Sequence, residues 1–149
     1  MNAKSAAVPS LTYLIKWMER KVRSELETAL LPLGVSVSEY TALSVLNEGR
    51  ELSSAQLARR TFVSAQAMHP IVTDLIKRKL LARRDNPDHG RIQLVRLTAQ
   101  GQRLLDRCNA ASRDAEERAF AGLSPAQTAA LRKSLERCVR TISEKSPTA

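Results

Sequence analysis

Residues 64–73 hold a set of side chains whose types and spacing point to one kind of chemistry. Wound as a helix, this segment puts Ile71, Val72 and Leu75 on an inward stripe and leaves Ser64, Ala65, Gln66, Met68, His69 and Thr73 facing away from it. Short polar groups at the amino-terminal end of an exposed helix face are what reading base edges in a DNA major groove requires. Gln66 and His69 offer hydrogen bonds to bases, and Ala65 or Met68 offers an apolar contact for a thymine methyl. The alternative reading is an ordinary solvated helix face. Pro70 lies inside the segment, where it removes one backbone bond and crowds the carbonyl of Gln66, so a kink or a late helix start is expected.

A second group is basic. Arg83, Arg84, Arg91 and Arg96 follow within a short span, and guanidinium groups so placed suit phosphates and the negative potential of a minor groove. Arg91 is expected at the tip of a hairpin, entering the minor groove, with Arg83, Arg84 and Arg96 on phosphates that set register rather than sequence. The charge of the whole chain is +9, and it is unevenly spread: +1 over residues 1–50, +5 over 51–98 and +3 over 99–149. The middle third, which carries both groups, is the basic part and favours a polyanionic partner.

The elements that must position these residues are legible from periodicity. Apolar positions from Leu11 to Leu33 recur at intervals of three and four, the pattern of a long helix. Ser36 and Glu39 form a capping box for a second helix, ended by Asn47 and Gly49. Ser53 and Ser64 then cap two helices joined only by Thr61-Phe62-Val63, a helix-turn-helix arrangement whose reading surface begins at Ser53. Leu81 to Arg84 and Ile92 to Leu97 have strand length and flank a turn-rich loop from Asp85 to Arg91. Helical spacing returns from Thr98 and again from Ser124-Pro125. The expected fold is mainly α with a small β-hairpin wing, in the order α-α-α-α-β-β-α-α.

Several of these residues together resemble the multiple-antibiotic-resistance-regulator (MarR) family of winged helix-turn-helix transcription regulators. The resemblance rests on Leu57-Ala58, the polar helix from Ser64, the run from Leu75 to Arg84, Asp85-Asn86-Pro87-Asp88 with Arg91, and above all Leu97-Thr98-Ala99-Gln100-Gly101 after the wing. It implies a bacterial homodimer that grips a pseudo-palindromic double-stranded DNA operator. Residues 36–98 would form the DNA-binding lobe of a single domain spanning 1–149, and residues 10–33 and 99–144 would intertwine with a second copy. Helices this long and apolar at both chain ends also exceed what so small a lobe can cover, which independently favours a symmetric partner. The family usually has an Asp two residues before the wing arginine; here His89 stands there beside Asp88. Either Asp88 substitutes or the wing is looser, and His89 would make the wing's geometry mildly pH-sensitive, against the alternative of a simple exposed histidine.

Members of the family commonly release DNA when a small aromatic ligand enters a cleft beside the winged lobe. Tyr13, Trp17 and Arg20 on successive turns of the first helix, with Tyr40 on the second, are the residues expected to line it, against the alternative that they are simply core. Cys108 and Cys138 fall on apolar helical faces, where cysteine behaves as a small hydrophobe rather than a redox switch. Two cysteines so far apart in sequence make neither a disulfide framework nor a zinc site, so no metal and no cofactor is expected. His69 and His89, the two histidines, both lie in the expected DNA surface, and no glycine-rich phosphate loop is present, which argues against an enzyme. No apolar run is long enough for a membrane span or a signal peptide, and the expected location is the cytoplasm. An architectural protein without sequence preference and a winged helix used only for protein contacts remain the rival classes.

Overall fold

The computed structural model describes residues 8–145. The helices are α1 (Leu11–Leu30), α2 (Val37–Val45), α3 (Ser54–Arg60), α4 (Ala65–Lys77), α5 (Ala99–Ala119) and α6 (Pro125–Lys145). The strands are β1 (Leu52–Ser53), β2 (Leu81–Asn86) and β3 (His89–Leu97), and a short 3-10 turn, Leu31–Leu33, follows α1. The expected order of helices and hairpin is observed, with one strand added. Leu52 and Ser53 pair antiparallel with Val95 and Leu94, giving a three-stranded sheet in the order β1-β3-β2. A two-residue strand is too short to show alternation in sequence and exists only because β3 offers it a ladder.

The hairpin is also longer than its sequence suggests. Asp85 pairs with Gln93 and Asn86 with His89 across a register shift, so only Pro87 and Asp88 separate the strands. Turn-forming residues were here drawn into the ladder by their neighbours, and the Asn86 side chain accepts from the Asp88 amide at 3.0 Å to close the tip.

Serine and threonine caps start the helices as read. Ser36 and Glu39 close a complete capping box, as do Ser53 and Gln56; Ser64 accepts from the Ala67 amide at 3.1 Å and Thr98 from the Gly101 amide at 3.0 Å. α4 begins at Ala65 and runs unbroken through Pro70, so the start is not late. The core of the lobe gathers Leu43, Leu46, Leu57, Met68, Val72, Leu75, Leu81 and Val95, with Leu105 of α5 closing it.

Thr98 and Gly101 show why the segment after the wing has its composition. The Thr98 hydroxyl donates to the carbonyl of Lys79 at 2.7 Å, and the Thr98 amide donates to that of Leu80 at 3.1 Å. A Cβ on Gly101 would lie 2.1 Å from the Leu80 carbonyl oxygen. Only glycine lets α5 start so close to the end of α4.

α1 packs along α5, and its last turn joins Leu30, Val35 and Cys108 in a second small core. α6 touches the rest of the described chain only slightly. Its Leu131, Leu135 and Val139, spaced four residues apart on one face, are exposed, as are Leu11, Leu14 and Ile15 of α1. No described helix is long and apolar enough to cross a membrane.

Candidate nucleic-acid interface

The outer face of α4 presents Ala65, Gln66, His69 and Pro70 to solvent, with Thr73 half-buried. Gln66, His69 and Thr73 are three and four residues apart and so stand on one side of the helix. Thr73 donates its hydroxyl to the His69 carbonyl at 2.9 Å, one turn back. Met68 does not belong with them. It is wholly buried, because it stands four residues before Val72 and seven before Leu75 and is therefore on the core stripe itself. The expected thymine contact falls to Ala65. Ser64 stands at the start of this face, its hydroxyl accepting from Ala67 as the cap of α4; Ser53 is half-buried in β1 and caps α3 instead, its hydroxyl accepting from Gln56.

The wing arginines separate into two pairs. Arg83 and Arg91 are exposed and join none of the ion pairs among the described residues. Arg84 and Arg96 converge on Glu51, just before β1: the Arg84 Nε lies 2.9 Å from both carboxylate oxygens, its Nη2 closes the fork, and the Arg96 Nε is 3.9 Å away. This follows from the register. Ala82 pairs with Arg96 and Arg84 with Leu94, so the two guanidiniums share a sheet face. The hydrogen bond from Arg84 holds the Glu51 carboxyl below the usual carboxylate range, and the same contact raises the Arg84 guanidinium. At the tip, Asp88 makes no ion pair with Arg91 among the described residues, and His89 is exposed in the strand beside it.

Two further connections were not legible in the sequence. Arg78, the C-cap of α4, donates to Glu39 at 2.8 Å, to Asp74 at 3.2 Å and to the Gly34 carbonyl at 2.9 Å, clamping the reading helix to the joint between α1 and α2. Arg59 and Arg60, at the end of α3, are exposed and likewise take part in none of the described ion pairs. Both would extend a phosphate-binding surface. Their helical position was readable, but their freedom from acidic neighbours was not.

A capped reading helix and a three-stranded wing are thus assembled on one lobe, with Arg91 inside β3 and Arg83 inside β2 rather than at the Pro87-Asp88 turn expected for Arg91, and comparison with known proteins decides what the assembly is. The family model described as the MarR family matches residues 33–92. An HTH-type transcriptional repressor of Mycobacterium tuberculosis, Rv2887, is 35% identical over 127 residues, covering 85% of this chain and 91% of its own. The chain belongs to the MarR family. Among solved structures, Rv2887 in complex with DNA superposes with a TM-score of 0.77 at 32% identity, covering 88% of this chain and 98% of that one. Rv2887 in complex with salicylic acid gives 0.75 at 34% identity, covering 89% and 98%. The apo form of MarR from E. coli, at 21% identity and a TM-score of 0.81 over 88% and 97%, shares the fold.

In this MarR family chain the residues expected around a ligand are not gathered in one place. Tyr13 and Trp17 form a tilted pair, with ring centroids 6.1 Å apart and planes at 44°, but are 58% and 52% exposed, and Arg20 beside them is exposed too. Tyr40 instead packs near Leu30 and donates its hydroxyl to the Asn109 side-chain oxygen at 3.0 Å. Leu30 is thirteen residues beyond Trp17, or about 20 Å along a helix. Within one chain, Tyr40 and the Tyr13–Trp17 pair belong to different places. Of the cysteines, Cys108 is buried and its thiol is pushed up by that burial, which keeps it protonated; Cys138 is exposed on α6, not buried as its apolar neighbours suggested.

Proposed function

We propose that this chain is a sequence-specific DNA-binding transcription regulator, a repressor that holds a pseudo-palindromic operator as a homodimer and lets go when a small aromatic ligand binds. The observation that carries this reading is the exposed Gln66, His69, Thr73 face of α4 standing on the same lobe as Arg83 and Arg91, which the protein's own acids leave unengaged. A helix face with base-reading groups and wing strands with uncommitted guanidiniums match the two kinds of contact that operator recognition needs. The crystal structure of Rv2887 with DNA supports the same use of the lobe.

Residues 10–33 and 99–144 form the dimerisation region in this reading. The exposed stripes on α1 and α6 support it, since an apolar face left open on one copy is self-complementary across a two-fold axis. The complex of Rv2887 with salicylic acid supports an aromatic carboxylate as the ligand class, with Tyr13, Trp17 and Arg20 as ring and carboxylate contacts at the edge of the dimer region. Such a regulator acts in the bacterial cytoplasm, where the DNA is, and performs no catalysis.

The test is a binding titration on a duplex selected from random sequence by the protein itself. Arg91→Ala is expected to weaken binding to all sequences and to lower the salt slope by about one, whereas Gln66→Ala is expected to relax discrimination at one position per half-site by about 1–3 kcal/mol. Equal affinity of the wild type for selected and random duplexes would replace this reading by that of an architectural protein. Titration with salicylate while following Trp17 fluorescence checks the ligand class.

A further inference from the structure

Phe62 is 97% exposed, the highest value among the large apolar side chains described. It occupies a position where the backbone asks for glycine. α3 ends with the Thr61 amide donating to Leu57 at 3.0 Å and the Val63 amide donating to Ala58 at 3.1 Å, a closure that places the intervening residue in the left-handed region. Phe62 has a φ of +56° there. Neither the backbone, which would be easier with glycine, nor the core, which Phe62 does not enter, accounts for an aromatic at this turn.

Its surroundings say what would. Arg59 and Arg60 precede it, exposed and in none of the described ion pairs, and Ser64, the cap of the reading helix, follows two residues later. An apolar ring that follows two uncommitted cations along the chain, just before a helix N-terminus, matches a polyanion that also carries apolar sugar rings. The stripes that a second copy would cover lie on α1 and α6, not on this turn. We propose that Phe62 is a DNA contact, its ring packing on the deoxyribose backbone at the edge of the groove that α4 enters, next to phosphates held by Arg59 and Arg60. The inference rests on the reading of α4 as the DNA-reading helix.

The experiment compares wild type, Phe62→Gly and Phe62→Leu in the full chain, using a duplex selected by the wild type and titrations at several salt concentrations. Glycine suits the left-handed backbone, so its thermal midpoint is expected to equal or exceed that of the wild type. Phe62→Gly is expected to bind about tenfold more weakly with an unchanged salt slope, since the lost contact is uncharged, and Phe62→Leu is expected to recover most of the loss. Wild-type affinity in Phe62→Gly, with the wild type itself binding tightly, would overturn the contact while leaving the DNA-binding reading standing. A lowered thermal midpoint or a dissociated dimer in Phe62→Gly would make Phe62 a fold or interface residue and overturn it as well. Absence of salt-dependent binding by the wild type would remove both readings together.

Discussion

In the winged lobe, Leu43, Leu46, Leu57 and Leu75 are completely covered, and each helix end is closed by a cap or a left-handed turn; along α6, Leu135 and Val139 stand 44% and 63% exposed. One chain thus contains a region whose apolar surface, Phe62 and Ile92 apart, is satisfied internally and another whose apolar surface is not. The contrast separates what each region is for. A lobe closed on itself can present a fixed face to a ligand as rigid as duplex DNA, whereas an open stripe waits for a surface of the same kind.

The sharpest way to break the lobe is Gly101→Val. With the Leu80 carbonyl oxygen 2.1 Å from where a Cβ would be, the substitution forces α5 away from α4, and a loss of about 3 kcal/mol or more is expected in chemical denaturation. α1 and α6 should keep their helicity better than the wing keeps its sheet. If stability were unchanged, the close approach would not be holding the lobe together.

The second substitution opens the other region. Leu135→Glu together with Val139→Glu places two charges in the α6 stripe, and sedimentation is expected to show a monomer in which the lobe still unfolds cooperatively. Fully burying a Leu or Val side chain contributes about 1.5–3 kcal/mol relative to leaving it exposed, and a charge in its place forfeits that. A double variant that remains dimeric would mean that α6 faces solvent in the assembly and that the comparison drawn above is wrong.

The smallest effect concerns the wing. Because Glu51 titrates lower in the folded chain than in the unfolded one, its pairing with Arg84 contributes to stability above the usual carboxylate range and is lost as pH falls through that lowered value. The pair is exposed, so its contribution is small. Glu51→Gln is expected to flatten the acid end of the stability profile slightly and to free Arg84 and Arg96, raising DNA affinity with a steeper salt slope. A stability profile identical to that of the wild type down to acid pH would show that the fork carries nothing.

The comparison of lobe and stripe also divides what could be read in advance. Caps such as Ser36, Ser53, Ser64 and Thr98 were legible because the side chain and the backbone groups it serves lie within three residues of each other. Met68 stands on the opposite face from the one expected although its spacing was legible: it lies four residues before Val72 and seven before Leu75, on the core stripe, and its polar neighbours Gln66 and His69 masked that. Arg84 and Arg96 looked like free phosphate ligands because Glu51 is more than thirty residues away in sequence and becomes their neighbour only when β1 joins the sheet.

By itself the sequence determined the order of helices and hairpin, the helix starts, the basic middle third and the family, since these depend on local spacing, local hydrogen bonding and composition. Tertiary structure alone decided which arginines stay uncommitted, that Arg78 ties α4 to the joint after α1, that Tyr40 lies apart from Trp17, and that Phe62 stands in solvent. Each of those depends on groups distant along the chain being brought within a few ångströms or kept apart, and no periodicity records that.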